Sequence, residues 1–245
     1  MKYDSKLYKE VAWRKTIPGK VYEKLSNSRT MLGWLYRKTF HAPIYNLLKK
    51  EKSYLKNVQG LILDIGGNIG SFDKKTMKRL NAQKYFRIDI DAEAKPDIVG
   101  DAHKLPIKEG SVDMIMCKSV LEHLREPWTA LNDMHRVLKK NGKLYFFVPF
   151  MNRIHAAPND YYRFTKDGMA YLLRDFEKSE VDASGGFFST LLNQIFVLTY
   201  WLDMFLLLGF LLRIIMWPFA YLLVQLDRFD KYKLTATFYY GIAIK

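Results

Sequence analysis

The stretch that decides the fold is Leu61-Ile-Leu-Asp-Ile-Gly-Gly-Asn-Ile-Gly-Ser71. Its apolar residues run into Asp64, which is typical of a buried parallel strand, and we predict that strand over 60–65. Three glycines within five positions then predict a tight turn whose backbone N–H groups can contact a ligand. We expect a helix over about 72–80. This order of elements holds nucleotide-like cofactors in α/β folds, although a glycine loop alone is a weak signal.

The residues beyond this turn predict further strands that alternate with helices. The predicted strands cover 84–90, 98–99, 111–117, 143–148, 176–183 and 235–244. Pro127 is expected to begin a helix that Asn141-Gly142 closes, and Thr165 is expected to cap a helix that runs to about Arg174. The alternation of strand and helix implies a parallel sheet with right-handed crossovers.

Acidic residues follow the second and third predicted strands. Asp89 lies 19 residues beyond Gly70, which is about where an α/β cofactor fold places the carboxylate that binds both ribose hydroxyls. A carboxylate accepts two hydrogen bonds from a vicinal diol, and Asp91 is the rival for this role. Asp101 can accept from an exocyclic amine such as adenine N6. For Asp89, a surface acid at a strand end is the plain structural alternative.

Several motifs carry a family resemblance when they are taken in order. They are Leu63-Asp-Ile-Gly-Gly-Asn-Ile-Gly70, Asp89, Gly100-Asp-Ala-His-Lys-Leu-Pro106, Ser111-Val-Asp113, Val120-Leu-Glu-His-Leu124 and Arg136-Val-Leu-Lys-Lys-Asn-Gly142. With them the chain resembles the class I S-adenosylmethionine-dependent methyltransferases of the type 11 group, over about 61–180. The resemblance implies a Rossmann-like α/β fold: a seven-stranded methyltransferase sheet with helices on both faces, its last strand antiparallel beside the fifth.

The resemblance also implies S-adenosylmethionine as the cofactor and assigns residues to it. The implied cofactor-binding residues are Asp64, Gly66, Gly67, Asn68 and Gly70 for the methionine portion, Asp89 for the ribose, Asp101 and Ala102 for the adenine, and Lys118 or Ser119 at the start of the loop over the sulfonium. Asn68 departs from the family, which commonly has a glycine there. Asn is the non-glycine residue that best tolerates a positive φ, so the turn can survive.

Residues 149–165, after the fifth predicted strand, are dense in polar and aromatic side chains. They resemble an element of a subset of these enzymes that often works in glycan or envelope biosynthesis. Methyl transfer to a hydroxyl needs a base, and we predict His155 as that base, with Asp160 to orient it. The alternative is structural: Asp160 and Arg163 form an ion pair that holds the loop, and Tyr161 packs beneath it.

Charge and apolar residues are distributed unevenly along the chain. The net charge is +14, of which residues 1–56 carry +10, as expected of an arm that meets an anionic membrane or nucleic acid, or of a solvated helical arm.

Residues 187–226 are almost wholly apolar and predict a helical insertion before the last strand. Because both ends of the insertion join one sheet, we exclude a single membrane pass and expect a hairpin that dips into the membrane or helices that lie in its interface. The alternative is a pair of helices that cover the core or form a homodimer.

The predicted organisation is a basic helical arm (1–56), a methyltransferase core (57–186), the apolar insertion (187–226) and a returning last strand (227–245). The single cysteine, Cys117, excludes a disulfide framework and a Cys-rich metal site, and no secretory signal is expected.

The predicted activity is methyl transfer, on oxygen, to a small-molecule, lipid-linked or glycan acceptor at the cytoplasmic face of the membrane. The alternatives are a nucleic-acid methyltransferase, which the apolar insertion disfavours, and a non-catalytic cofactor-binding scaffold.

Overall fold

The computed structural model describes residues 58–67, 82–155, 159–203 and 208–245, together with isolated positions between 30 and 54. Asn68, Gly70, the predicted helix over 72–80 and most of the predicted arm lie outside the described residues. The chain divides into two compact units. The first contains 1–47, 151–160 and 183–238, and the second contains 48–150, 161–182 and 239–245.

Seven strands form one sheet, in the order β3-β2-β1-β4-β5-β7-β6. Their bounds are β1 Gly60–Ile65, β2 Ala82–Asp89, β3 Ile98–Val99, β4 Val112–Lys118, β5 Leu138–Pro149, β6 Lys178–Ser184 and β7 Phe238–Ile244. The pairs among β1 to β5 are parallel. Lys245 exchanges backbone hydrogen bonds with Asn141 and Gly142 near the start of β5, so β7 runs antiparallel to β5. The sheet therefore confirms the predicted Rossmann-like methyltransferase fold.

Apolar residues of the strands form the core of the second unit. Met114, Ile115, Met116 and Cys117 of β4 are all fully buried, as expected of a central parallel strand that is covered on both faces. Burial raises the pKa of the Cys117 thiol far above its usual range, so this cysteine is a core residue.

One predicted helix boundary is wrong. The helix α1 covers Pro127–Val137 and begins with Pro127 as predicted. It ends four residues before Asn141, because Leu138 is extended and starts β5. Asn141 has a φ of +62° inside that strand, so the Asn-Gly pair marks a distortion of β5 instead of a helix end. The helix α2, Lys166–Leu172, is capped by Thr165, whose side chain accepts a hydrogen bond from the Gly168 N–H at 3.0 Å, as predicted.

The first unit contains two long apolar helices before β7, α3 (Phe187–Asp203) and α4 (Leu208–Gln225). Leu192 and Phe196 of α3 form a buried cluster with Ala220 of α4. After α4, the Asp227 carboxylate accepts hydrogen bonds from the backbone N–H groups of Gly186, Phe188 and Ser189 at the N-terminus of α3. Within the described part of the chain, none of the helices combines the length and hydropathy needed to cross a membrane.

Asp133 of α1 links this helix to the segment around Leu105 through hydrogen bonds, and these contacts lead to a stability prediction. Its carboxylate accepts the Leu105 N–H at 2.7 Å and pairs with Arg136, whose guanidinium donates to the carbonyls of Leu105 and Ile107. Partial burial works to raise the pKa of the Asp133 carboxyl, but the hydrogen bonds from Arg136 and Leu105 outweigh it and lower that pKa. Asp133→Ala should cost about 1.5–3 kcal/mol of unfolding free energy at neutral pH.

The pH dependence of this loss follows from the lowered pKa. The contribution of Asp133 is present above the unfolded-state pKa of about 4 and is lost as pH falls through the folded-state value. Urea denaturation at pH 7 and at acidic pH should therefore show a gap between wild type and Asp133→Ala that shrinks on acidification. Asp175→Ala, which removes an exposed carboxylate, is the control and should leave stability nearly unchanged. Equal stability of Asp133→Ala and wild type at pH 7 would contradict the assignment.

Candidate cofactor and acceptor site

The carboxyl ends of the parallel strands bring several predicted cofactor residues to one edge of the sheet. Asp64 lies at the end of β1, Asp89 ends β2, and Lys118 ends β4. Gly100 and Asp101 directly follow β3. Parallel strands present their carboxyl ends at the same edge, which is where ligands bind in open α/β sheets. The second unit thus gathers these predicted residues in one place.

Asp64 and the first two glycines form a close-packed turn. Asp64 is 1% exposed; its Oδ2 accepts from the Tyr85 hydroxyl, and its buried Oδ1 has no hydrogen-bond partner among the described residues. Gly66 has a φ of +67°, and a Cβ there would lie 2.4 Å from Cγ2 of Val120. A Cβ on Gly67 would lie 2.9 Å from Asp64 Oδ2. Both positions require glycine, and an acceptor atom is left at the turn for a ligand donor.

The two rival acids after β2 lie in different local structures. Asp91 is the N-cap of a short 3₁₀ helix, Ala92–Ala94, and its side chain accepts the Glu93 N–H at 2.9 Å. The carboxylate of Asp89 accepts one hydrogen bond, from the Asp91 N–H to Oδ1 at 2.9 Å. Its Oδ2 has no hydrogen bond within the part of the chain that the structure describes. Each of the two carboxylates thus accepts one backbone N–H at Oδ1, and they differ in position: Asp89 ends β2 at the edge with the other predicted cofactor residues, and Asp91 caps the turn that follows.

Asp101 is held by a residue that sequence reasoning did not assign. Its Oδ1 accepts the His103 backbone N–H at 2.9 Å and lies 2.7 Å from Nδ1 of the same histidine. These contacts lower the pKa of the Asp101 carboxyl, the backbone hydrogen bond being the main cause. The spacing of Asp and His two residues apart is the sequence signal for this turn. Asp101 is exposed and Ala102 is 7% exposed, so the carboxylate is open to a ligand while the alanine side chain is buried.

Lys118 and Ser119 take distinct places at the end of β4. The Lys118 ammonium lies 3.3 Å from the Glu51 carboxylate, which is 2% exposed, so this lysine is paired within the second unit. Ser119 adopts a φ of +51° and donates its N–H to the Phe147 carbonyl at 2.9 Å. Glu51 stands 67 residues before its partner, and no local pattern in the sequence signals the pair.

Part of the predicted acceptor loop has a structural role in the second unit. The backbone N–H groups of Tyr161 and Tyr162 donate to the carbonyl of Glu122 at 2.8 and 3.3 Å. The Tyr162 hydroxyl donates to the Arg125 carbonyl at 2.8 Å, and Arg125 Nε donates to the Tyr161 hydroxyl at 3.2 Å. These bonds fix residues 161–162 on the segment that follows β4. Glu122 and Arg125 were not predicted as partners of this loop.

His155 and Asp160 come together in the first unit. Asp160 Oδ2 accepts the His155 backbone N–H at 2.8 Å and lies 3.6 Å from the ring nitrogen Nδ1. The Asp160 side chain is 2% exposed and the His155 side chain 25% exposed. Asp160 therefore anchors the backbone of His155, while the function of His155 as a base and the role of Asp160 in orienting it stay predictions.

Comparison with known protein families finds a match within the second unit. Residues 63–146 match a family model described as methyltransferase domain. An uncharacterized protein of Methanocaldococcus jannaschii is 34% identical over 96 residues, which are 36% of this chain and 40% of that protein. An uncharacterized 37.1 kDa protein from a Streptomyces fradiae transposon is 39% identical over 51 residues, 21% of this chain and 15% of that protein. The chain thus spans well under two thirds of each of these relatives.

Solved structures share the fold at low identity. A SAM-dependent methyltransferase from Archaeoglobus fulgidus superimposes with a TM-score of 0.54 at 14% identity, covering 86% of this chain and 99% of that chain. Haemonchus contortus phosphoethanolamine N-methyltransferase 2, solved with phosphomonomethylethanolamine and S-adenosylhomocysteine, gives 0.54 at 15% identity and covers 91% and 60%. At these identities the likeness shows a common architecture.

Proposed function

We propose that residues 63–146, which match the methyltransferase-domain model, bind S-adenosylmethionine, and that the protein transfers a methyl group from this cofactor to a hydroxyl oxygen of a membrane-associated, lipid-linked or glycan acceptor. The observation that carries the proposal is the set of carboxylates at one sheet edge, Asp64, Asp89 and Asp101. The acceptor and the membrane location are inferences from the chain's own features.

The residues at this edge fit the cofactor's chemistry. The buried Oδ1 of Asp64 suits a donor group of the methionine portion, and the close turn at Gly66 admits backbone contact. Asp89 suits the ribose diol, and Asp101 suits the adenine amine. Asn68, Gly70 and Lys118 remain predicted contributors. When bound, S-adenosylmethionine supplies a methyl group that its sulfonium activates for displacement.

His155 and Asp160 are the proposed catalytic residues. A ring nitrogen of His155 takes the proton of the acceptor hydroxyl as the oxygen–methyl bond forms and the sulfur–methyl bond breaks. Asp160, buried beside His155, holds the backbone of this residue through a 2.8 Å hydrogen bond, and its Oδ2, 3.6 Å from Nδ1, is the group proposed to orient the ring. A positioned base of this kind contributes about 10²–10⁴-fold to the rate.

Two features support an acceptor at the membrane. Helices α3 and α4 are apolar along most of their length, and the predicted arm over 1–56 carries a net charge of +10. Two weak attachments to one surface reinforce each other. The sequence of the 149–165 loop adds a resemblance to enzymes of glycan and envelope biosynthesis. We therefore propose that the protein works at the inner face of the membrane.

A transfer assay tests this function directly. Purified protein is incubated with methyl-labelled S-adenosylmethionine and either a total lipid extract, a glycan extract or total RNA. We expect label in the lipid or glycan fraction, stable to mild base as an ether is. Label in RNA alone would replace the proposal with a nucleic-acid methyltransferase. Cofactor binding without transfer to any fraction would favour a cofactor-binding scaffold.

A further inference from the structure

Helix α4 is apolar on its exposed side as well as on its buried side, unlike a helix on a water-facing surface. Its single charged residue, Arg213, is 4% exposed, and its guanidinium donates to Thr199 Oγ1 of α3 at 2.9 Å. Apart from Pro218 and the terminal Gln225, its exposed side chains are large and apolar. A helix beside water normally turns charged groups outward and apolar groups inward, so the outer side of α4 is suited to an apolar neighbour.

The exposed apolar residues of α4 form one continuous face, which we call the outer stripe. It consists of Leu208, Leu211, Ile214, Ile215, Phe219 and Leu222. Their spacing of three or four residues, with Ile214 and Ile215 adjacent, keeps them on one side of the helix over about 21 Å. Phe219 is 72% exposed and Ile215 67% exposed. An apolar surface of this extent marks an interaction site.

A basic and aromatic segment, residues 228–234, follows α4 within the same unit. Arg228 and Lys231 are exposed, and the Arg228 guanidinium lies 4.6 Å from the centre of the Phe229 ring. Phe229 is 64% exposed and Tyr232 85% exposed. The neighbouring acids, Asp227 and Asp230, accept hydrogen bonds from backbone N–H groups at the N-terminus of α3. The exposed part of the segment therefore presents cations beside aromatic rings.

We propose that the outer stripe and the 228–234 segment together bind the surface of a lipid bilayer that contains anionic lipids. The stripe lies against the acyl chains, and the segment lies at the headgroup level. The charge of the segment selects this occupant, since Lys and Arg attract anionic headgroups and aromatic rings favour the boundary between headgroups and acyl chains. This inference rests on the membrane part of the proposed function and identifies the surface responsible.

Binding to vesicles tests the proposal with the full chain. We expect sedimentation with vesicles of phosphatidylcholine and phosphatidylglycerol, and weaker sedimentation with phosphatidylcholine alone. Phe219→Glu should lower the partition coefficient by about tenfold or more. Tyr171→Glu, on α2 in the other unit at a position 67% exposed, is the matched control and should bind as wild type does. The double variant R228Q/K231Q should lose affinity for the anionic vesicles alone, by about tenfold.

Three results would overturn this assignment. Absence of wild-type binding to both vesicles is the first, and equal binding by Phe219→Glu and wild type is the second. The third is a wild-type protein that does not bind vesicles and is a dimer in analytical ultracentrifugation, with Phe219→Glu converting it to a monomer. A second copy of this chain would then cover the outer stripe. Calorimetric titration of the same preparations with S-adenosylmethionine measures cofactor affinity. Because cofactor binding needs no lipid, this measurement tests the proposed methyltransferase function separately from vesicle binding.

Discussion

Replacing Asp89 with Ala is expected to weaken binding of S-adenosylmethionine at least about 100-fold, because two hydrogen bonds to a charged acceptor, each contributing about 1.5–3 kcal/mol, are removed together. Among the described residues, Oδ2 of Asp89 has no hydrogen bond and Oδ1 accepts one, so this carboxylate at the end of β2 can accept from both hydroxyls of a diol. Isothermal titration calorimetry measures the loss. Asp89→Asn, which keeps one acceptor oxygen, should lie between Asp89→Ala and wild type.

Asp91→Ala is the control for that experiment. It removes a carboxylate two residues away that caps the Ala92–Ala94 turn, so we expect at most a few-fold change in cofactor affinity. Thermal unfolding of each variant, followed by circular dichroism, shows whether the fold survives. A folded Asp89→Ala protein with wild-type affinity would exclude Asp89 as the ribose ligand and transfer the role to Asp91 if that variant alone fails to bind.

His155→Gln should lower turnover about 10²–10⁴-fold while the dissociation constant for S-adenosylmethionine stays unchanged. Gln keeps a hydrogen-bonding side chain of similar size but cannot take up a proton, so the loss isolates the proposed base function. The labelled-transfer assay gives turnover, and calorimetry gives cofactor affinity. Asp160→Asn should cause a smaller loss, since the amide oxygen can still accept the His155 backbone N–H.

The control for His155 is Tyr161→Phe. It deletes a hydroxyl that accepts from Arg125 Nε and leaves the backbone bond from residue 161 to Glu122 in place. We expect its turnover to stay within a few-fold of wild type. Wild-type turnover by His155→Gln would remove the base from the mechanism, leaving alignment of the acceptor as the protein's contribution.

The local features of the sheet were predictable from the sequence because they depend on neighbouring residues. The apolar run before Asp64 predicted β1, and its bounds are confirmed at Gly60–Ile65. The spacing from Gly70 predicted Asp89, which lies at the expected strand end. The helix end predicted at Asn141-Gly142 is wrong. A pair of this kind commonly ends a helix, but here it lies within β5, and Asn141 has a positive φ.

Contacts between distant residues were beyond sequence reasoning. Tyr85 meets Asp64 across 21 residues, and Glu51 meets Lys118 across 67, and neither pair has a fixed spacing that would reveal it. The face of α4 that turns outward was equally hidden. Apolar residues occupy nearly every position of that helix, so the hydropathy pattern has no strong period, and the packing of Arg213 against Thr199 decides the orientation.

The position of β7 between β5 and β6 has a consequence for how the protein is made. During translation, β5 and β6 leave the ribosome first, α3 and α4 follow, and β7 comes last of these elements. Until β7 has emerged, the nascent chain carries unpaired strand edges and a newly exposed pair of apolar helices at the same time. Both are aggregation hazards in an unfinished chain. We therefore expect chaperone engagement to peak after α4 has emerged and to fall once β7 completes the sheet.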